Sequence, residues 1–137
     1  MIEFIVPGKP VGYYAHGKVP NLDRMNAYHS YLKKVRIYAQ QAGIKLPLIA
    51  TKAKPLFIKT VAYFPNGHHS DPENIHKGIK DALFYVPKVA PSVAAFMLKD
   101  DTPKTADKYT GGTYDPPLYD NDRPCVIVTG KRRKARL

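Results

Sequence analysis

Asp71, Glu73, Asn74, Lys77 and Asp81 stand close together in a chain that carries 22 basic against 11 acidic side chains in all, a formal charge of +11. Carboxylates two positions apart, with a lysine four positions beyond the second, are the parts needed to hold a hard divalent cation against a phosphate. Phosphodiester hydrolysis requires an aligned water and stabilisation of charge on the phosphoryl and leaving oxygens. Magnesium supplies much of this from one or two protein carboxylates while keeping several of its own waters. Lys77 is spaced to orient a carboxylate or to meet the charge of the transition state. Asp100-Asp101 brings further acid from a distant segment.

The element that must position these groups is a helix with a marked start. Asp71 is a strong N-cap, Pro72 suits the first helical position, and the proline biases Asp71 toward the extended backbone of a cap. At about 100° per residue, Ile75, Ile79, Ala82 and Leu83 share one face. Glu73, Lys77 and Asp81 form a charged row on the other, flanked by Asn74 and Lys80. The plain reading of that row is a solvated ion-pair ladder contributing a few tenths of a kcal/mol per pair. The chemical reading must also overcome the positive end of the helix dipole, which disfavours a bare cation.

Asp71-Pro72-Glu73-Asn74, Lys77, Asp81-Ala82-Leu83 and then Asp100-Asp101 resemble the D-x-D-N-x-x-K-x-x-x-D-A-L run and later aspartate pair of the RusA family of Holliday-junction resolvases. Val6-Pro7-Gly8-Lys9-Pro10-Val11 resembles the P-G-K-P-V entry of phage-type members. The likeness covers roughly residues 2–101, with Pro124–Thr129 as a closing strand. It implies an α+β fold, a small mixed β-sheet packed with helices, and a homodimer. It implies magnesium-dependent cutting of four-way DNA junctions; manganese is a further metal that such carboxylates could take. The metal-binding carboxylates it implies are Asp71, Glu73 and Asp101, with Asp100 as the other candidate for the third position, and the essential lysine is Lys77. Three departures stand out: Glu73 replaces the usual aspartate, the stretch from Asp81 to Asp101 is longer, and Gly12-Tyr13-Tyr14 replaces more basic residues.

Length and composition fit one domain over 1–130 and a basic tail over 131–137, including Lys131, Arg132 and Arg133. The charge predicts salt-sensitive attraction to a polyanion, a property shared by ribosomal, capsid and membrane-surface proteins. Lys9, Lys33, Lys34 and Arg36 join the tail as candidate contacts to DNA backbone. The single cysteine, Cys125, excludes an intrachain disulfide and suits a reducing cytoplasm, and its apolar surroundings suit packing. No segment reads as a signal peptide or membrane span, so no membrane partner is expected.

Strands are expected at Ile2–Val6, Pro55–Phe64 and Cys125–Thr129, and a helix from about Asp23 to Ala42 that stops at Gly43. Lys33, Lys34 and Arg36 fall on its polar side. Phe84–Leu98 reads as core or as a surface covered on dimerisation. Thr102–Arg123 reads as a long loop with a hairpin turn at Gly111-Gly112, and Asp120-Asn121-Asp122 as a turn rather than a calcium loop. His68, His69 and His76 are acceptable zinc ligands, but their spacing matches no zinc motif. Two readings from different classes remain: a metal-dependent endonuclease on branched DNA, whether junction or flap, and a non-catalytic basic nucleic-acid-binding protein.

Overall fold

Alternation along three strands decides which face of the sheet is covered. In β1 (Ile2–Pro7) Phe4 and Val6 are buried. In β2 (Leu56–Phe64) the buried positions are Leu56, Ile58, Thr60, Ala62 and Phe64, and in β5 (Cys125–Arg132) Val126, Val128 and Gly130. The register joins them in rows, Phe4 to Val128 to Thr60 and Val6 to Val126 to Ala62, so a single face is buried across all three strands. That one-sided burial calls for helices on one face only. The computed structural model describes residues 2–13, 22–51, 53–66, 70–84 and 110–132.

The sheet is mixed and five-stranded, ordered β1-β5-β2-β3, with β4 also paired to β2. β1 and β2 each run antiparallel to β5, while β3 (Thr110–Tyr114) and β4 (Leu118–Tyr119) lie parallel to β2. The two described helices are α1 (Leu22–Gln41) and α2 (Pro72–Phe84). The architecture is α+β, as expected. No described helix is long and apolar enough to cross a membrane.

α1 buries Tyr28, Tyr31, Leu32, Val35 and Ala39. It ends in a Schellman motif: Gly43, at φ 85°, donates to Gln40 O at 3.0 Å, and Ile44 donates to Ala39 O at 3.1 Å. At the far end of α2, Leu48 N–H donates to Leu83 O at 2.8 Å and Arg36 Nε donates to Ala82 O at 3.1 Å. Two carbonyls that a helix end leaves open are thereby satisfied.

Several expectations change. Gly111-Gly112 is no hairpin turn; both residues lie inside β3, opposite Phe57 and Ile58 of β2. A Cβ at Gly111 would fall 2.2 Å from the Phe57 ring, and one at Gly112 would fall 2.6 Å from both His76 Nε2 and Ile58 O. The glycines are therefore in the strand because neighbours occupy the side-chain space. The expected loop over Thr102–Arg123 accordingly contains β3 and β4. β5 also takes in Lys131 and Arg132, the first residues of the expected tail. Arg133 and the rest of the tail lie outside the described residues, as do residues 85–109. The turn at Asp120-Asn121-Asp122 is as expected: Asp120 Oδ1 accepts from the backbone N–H groups of Asp122 at 3.1 Å and Arg123 at 3.0 Å. Cys125 is half-buried; burial, and then the charge of Asp120, pushes its thiol pKa up.

Candidate active site

α2 begins beyond the end of β2, and its first turn is built as the sequence dictates. Asp71 Oδ1 accepts from Glu73 N–H at 3.0 Å, while Asp71 O accepts from Asn74 N–H at 2.9 Å and Ile75 N–H at 3.1 Å. Ile75, Ile79, Ala82 and Leu83 are all buried, which seats the helix on the sheet. Asp71, Glu73 and Lys77 are exposed. Two carboxylates and an ammonium therefore share the open side of the first two turns.

The segment directly after the N-terminal motif docks onto those same turns. Pro10 is fully buried and anchors the chain after β1. Tyr13 N–H then donates to Asn74 O at 3.0 Å. A Cβ at Gly12 would meet Ser70 Cβ at 2.9 Å and Asn74 Cβ at 3.1 Å, so only glycine allows this approach. The Tyr13 ring lies under Lys77, with Nζ 3.9 Å from the ring centroid. Behind it, the Tyr28 ring meets Tyr13 edge-on at 5.6 Å and 89°, and Tyr28 Oη donates to Asp81 Oδ2 at 2.8 Å.

Asp81 thus departs from the outward row expected for it. A step of four residues turns a helix by about 40° past a full circle, so two steps swing Asp81 from the Glu73 side toward α1. There it is half-buried with Tyr28 and near the charge of Arg36. Burial, followed by the Asp81 charge and hydrogen bond, drives the Tyr28 pKa far up, which keeps the phenol protonated as donor. Arg36 likewise turns from the polar face of α1 to the end of α2, and burial lowers its pKa against the opposing charges of Tyr28 and Asp81.

His76 faces inward from α2. Its Nδ1 lies 2.8 Å from Thr60 Oγ1, the buried polar side chain of the core, and its ring is 5.7 Å from that of Tyr114. Burial, and then the charge of Lys80, lowers its pKa from 6.5 to about 4. An imidazole with a folded pKa below its unfolded value supports the fold fully above pH 6.5, and that support is lost as pH falls toward about 4. Urea unfolding at pH 7.5 and pH 5 is expected to show a lower midpoint for the parent in acid. His76→Asn should show a smaller loss, and equal losses in both proteins would remove His76 as the cause.

The basic candidates divide between the two ends of the sheet. Lys9 follows β1 at the end where β5 starts and β2 finishes, which is the end from which α2 begins. Lys34 Nζ lies against the adjoining turn, 2.6 Å from where a Cβ on Gly8 would sit. Lys33 is exposed on α1. Lys131 and Arg132 occupy the opposite sheet end, beside the start of β2, about 25 Å away at strand rise. Arg132 Nη1 there donates to Lys54 O at 3.1 Å.

Asp100, Asp101, His68 and His69 lie outside the described residues. Among the described residues, no three His, Cys, Asp or Glu side chains gather into a group able to hold a metal. Asp71 and Glu73 suit magnesium as a pair, since it accepts one or two protein carboxylates and keeps water for its other positions. With one Asp71 oxygen committed to the cap, Oδ2 and the Glu73 carboxylate are the oxygens such an ion would take. Tyr13, Gly12 and Tyr28 were not among the sequence candidates for this site. Their signals were a glycine-tyrosine step directly after the N-terminal motif and a phenol on an apolar helix stripe, where a buried hydroxyl needs a partner. No protein-family model matches the chain, and no curated protein matches it.

Proposed function

We propose that this protein is a metal-dependent endonuclease of the RusA type, acting as a homodimer on four-way DNA junctions. The observation that carries the reading is the docking of Gly12-Tyr13, directly after the N-terminal motif, on the first turns of α2. The residues that directly follow the N-terminal resemblance thus meet the helix that carries the other one, around exposed Asp71, Glu73 and Lys77. Magnesium, when bound, would supply Lewis-acid stabilisation and an activated water. Asp71 and Glu73 would hold it, with Asp101 as the third carboxylate, and Lys77 would meet charge on the phosphoryl oxygens. Lys9, Lys33 and Lys34 would follow the DNA backbone toward this end. Two-fold symmetry suits the substrate, because paired sites can nick two like strands. A cytoplasmic location follows from such a substrate.

The rival reading is a basic nucleic-acid-binding protein without catalysis. It accounts for the charge equally well and treats the acidic residues as helix chemistry. Incubation of a labelled four-way junction with magnesium or with a chelator separates the two. Cutting only with the metal is expected; tight, salt-sensitive binding without cutting in magnesium or manganese would favour the rival.

A further inference from the structure

A lysine on an exposed helix face ordinarily samples many rotamers, and a charge that wanders contributes little to a transition state held within fractions of an ångström. Lys77 has a fixed neighbour. Its Nζ stands 3.9 Å from the centre of the Tyr13 ring, well inside the range of about 6 Å over which an aromatic face attracts a cation.

The ring itself is held from several sides. Its backbone N–H is bonded to Asn74 O at 3.0 Å, and the preceding Gly12 sits too close to Ser70 and Asn74 to admit a side chain. Tyr28 abuts the ring edge-on at 5.6 Å and is fixed in turn by its 2.8 Å bond to Asp81. The platform under Lys77 is therefore more constrained than the lysine. This gives the aromatic residue after the N-terminal motif a use that a basic residue could not serve, since a second cation would repel Lys77.

We propose that Tyr13 is the positioning residue for Lys77, holding its ammonium beside the Asp71–Glu73 end of α2 to meet the scissile phosphate of branched DNA. This rests on the nuclease reading above. Tyr13 acts through Lys77: it needs only its ring face, and its hydroxyl is dispensable.

The test compares parent, Tyr13→Phe, Tyr13→Leu, Lys77→Met and the Tyr13→Leu/Lys77→Met double variant in magnesium on a synthetic four-way junction. Circular dichroism confirms the fold of each. Tyr13→Phe is expected to keep most of the parent kcat, and Tyr13→Leu to lose about tenfold in kcat with KM little changed. In the Lys77→Met background, adding Tyr13→Leu should cost no more than about twofold, because the residue it acts through is already gone. Independently of cutting, the Lys77 side-chain methylene protons should show an upfield ring-current shift in parent and Tyr13→Phe that Tyr13→Leu loses. A Tyr13→Leu protein that cuts like an active parent, or a tenfold loss persisting without Lys77, would overturn the positioning role alone. A parent that cuts nothing would sink the nuclease reading and this role with it, even if the ring-current shift is present.

Discussion

Asp71→Asn is expected to abolish junction cutting, by on the order of 10³-fold or more, while leaving the fold intact. Several kcal/mol of metal-derived stabilisation are at stake, and each 1.4 kcal/mol is about a decade in rate. Asparagine caps a helix as well as aspartate does, so the bond from Glu73 N–H to Oδ1 has a ready replacement. Stability should stay within about 0.5 kcal/mol of the parent. Binding of the junction should hold or strengthen, because one negative charge facing phosphate has been removed. Asp71→Ala would confuse the outcome, since it also removes the cap at a cost of about 1 kcal/mol. A variant Asp71→Asn that cuts as the parent does would show that the carboxylate is only a cap.

The largest expected effect on stability is that of Phe64→Ala. Phe64 is 0% exposed and closes the covered face of β2, the strand that pairs with β5, β3 and β4. Its carbonyl accepts from Asp120 N–H at 2.9 Å, and its backbone pairs with Tyr119. Removing the ring should cost about 3–5 kcal/mol through lost burial and the cavity left behind. Total stabilities run to about 5–15 kcal/mol, so the variant should unfold at a much lower urea midpoint with an unchanged slope. A loss below about 1 kcal/mol would mean that the end of β2 is loosely packed, contrary to the architecture described. The same end leads to Asp71, so cutting by Phe64→Ala should fail on mild warming while the parent remains active.

The sequence made the site helix legible because its signals are local. Asp71-Pro72 marks the start, and Ile75, Ile79, Ala82 and Leu83 mark the buried face; the first turn and the core agree with both. α1 was readable for the same reason, with Gly43 supplying the left-handed residue at its end. The strand β3 was not readable. A glycine pair is ordinarily a turn signal, and only the Phe57 ring, His76 and the Ile58 carbonyl explain its place in the sheet. Asp81 and Arg36 misled in a related way: both are charged and spaced like surface residues, yet the approach of α1 to α2 draws them together. No single-helix pattern contains that approach. The contact of Tyr13 with Lys77 joins residues 64 positions apart, so its cause is tertiary.

What joins these parts is the claim that the exposed start of α2 cuts branched DNA with a metal. The most direct measurement is strand-resolved cleavage of a synthetic four-way junction, with a linear duplex of matching sequence beside it, in magnesium and in chelator. Symmetrical nicks in paired strands of the junction, absent from the duplex and absent without metal, are the predicted result. A junction bound tightly yet left whole in both magnesium and manganese would contradict the claim and return Asp71, Glu73 and Lys77 to the service of the helix alone.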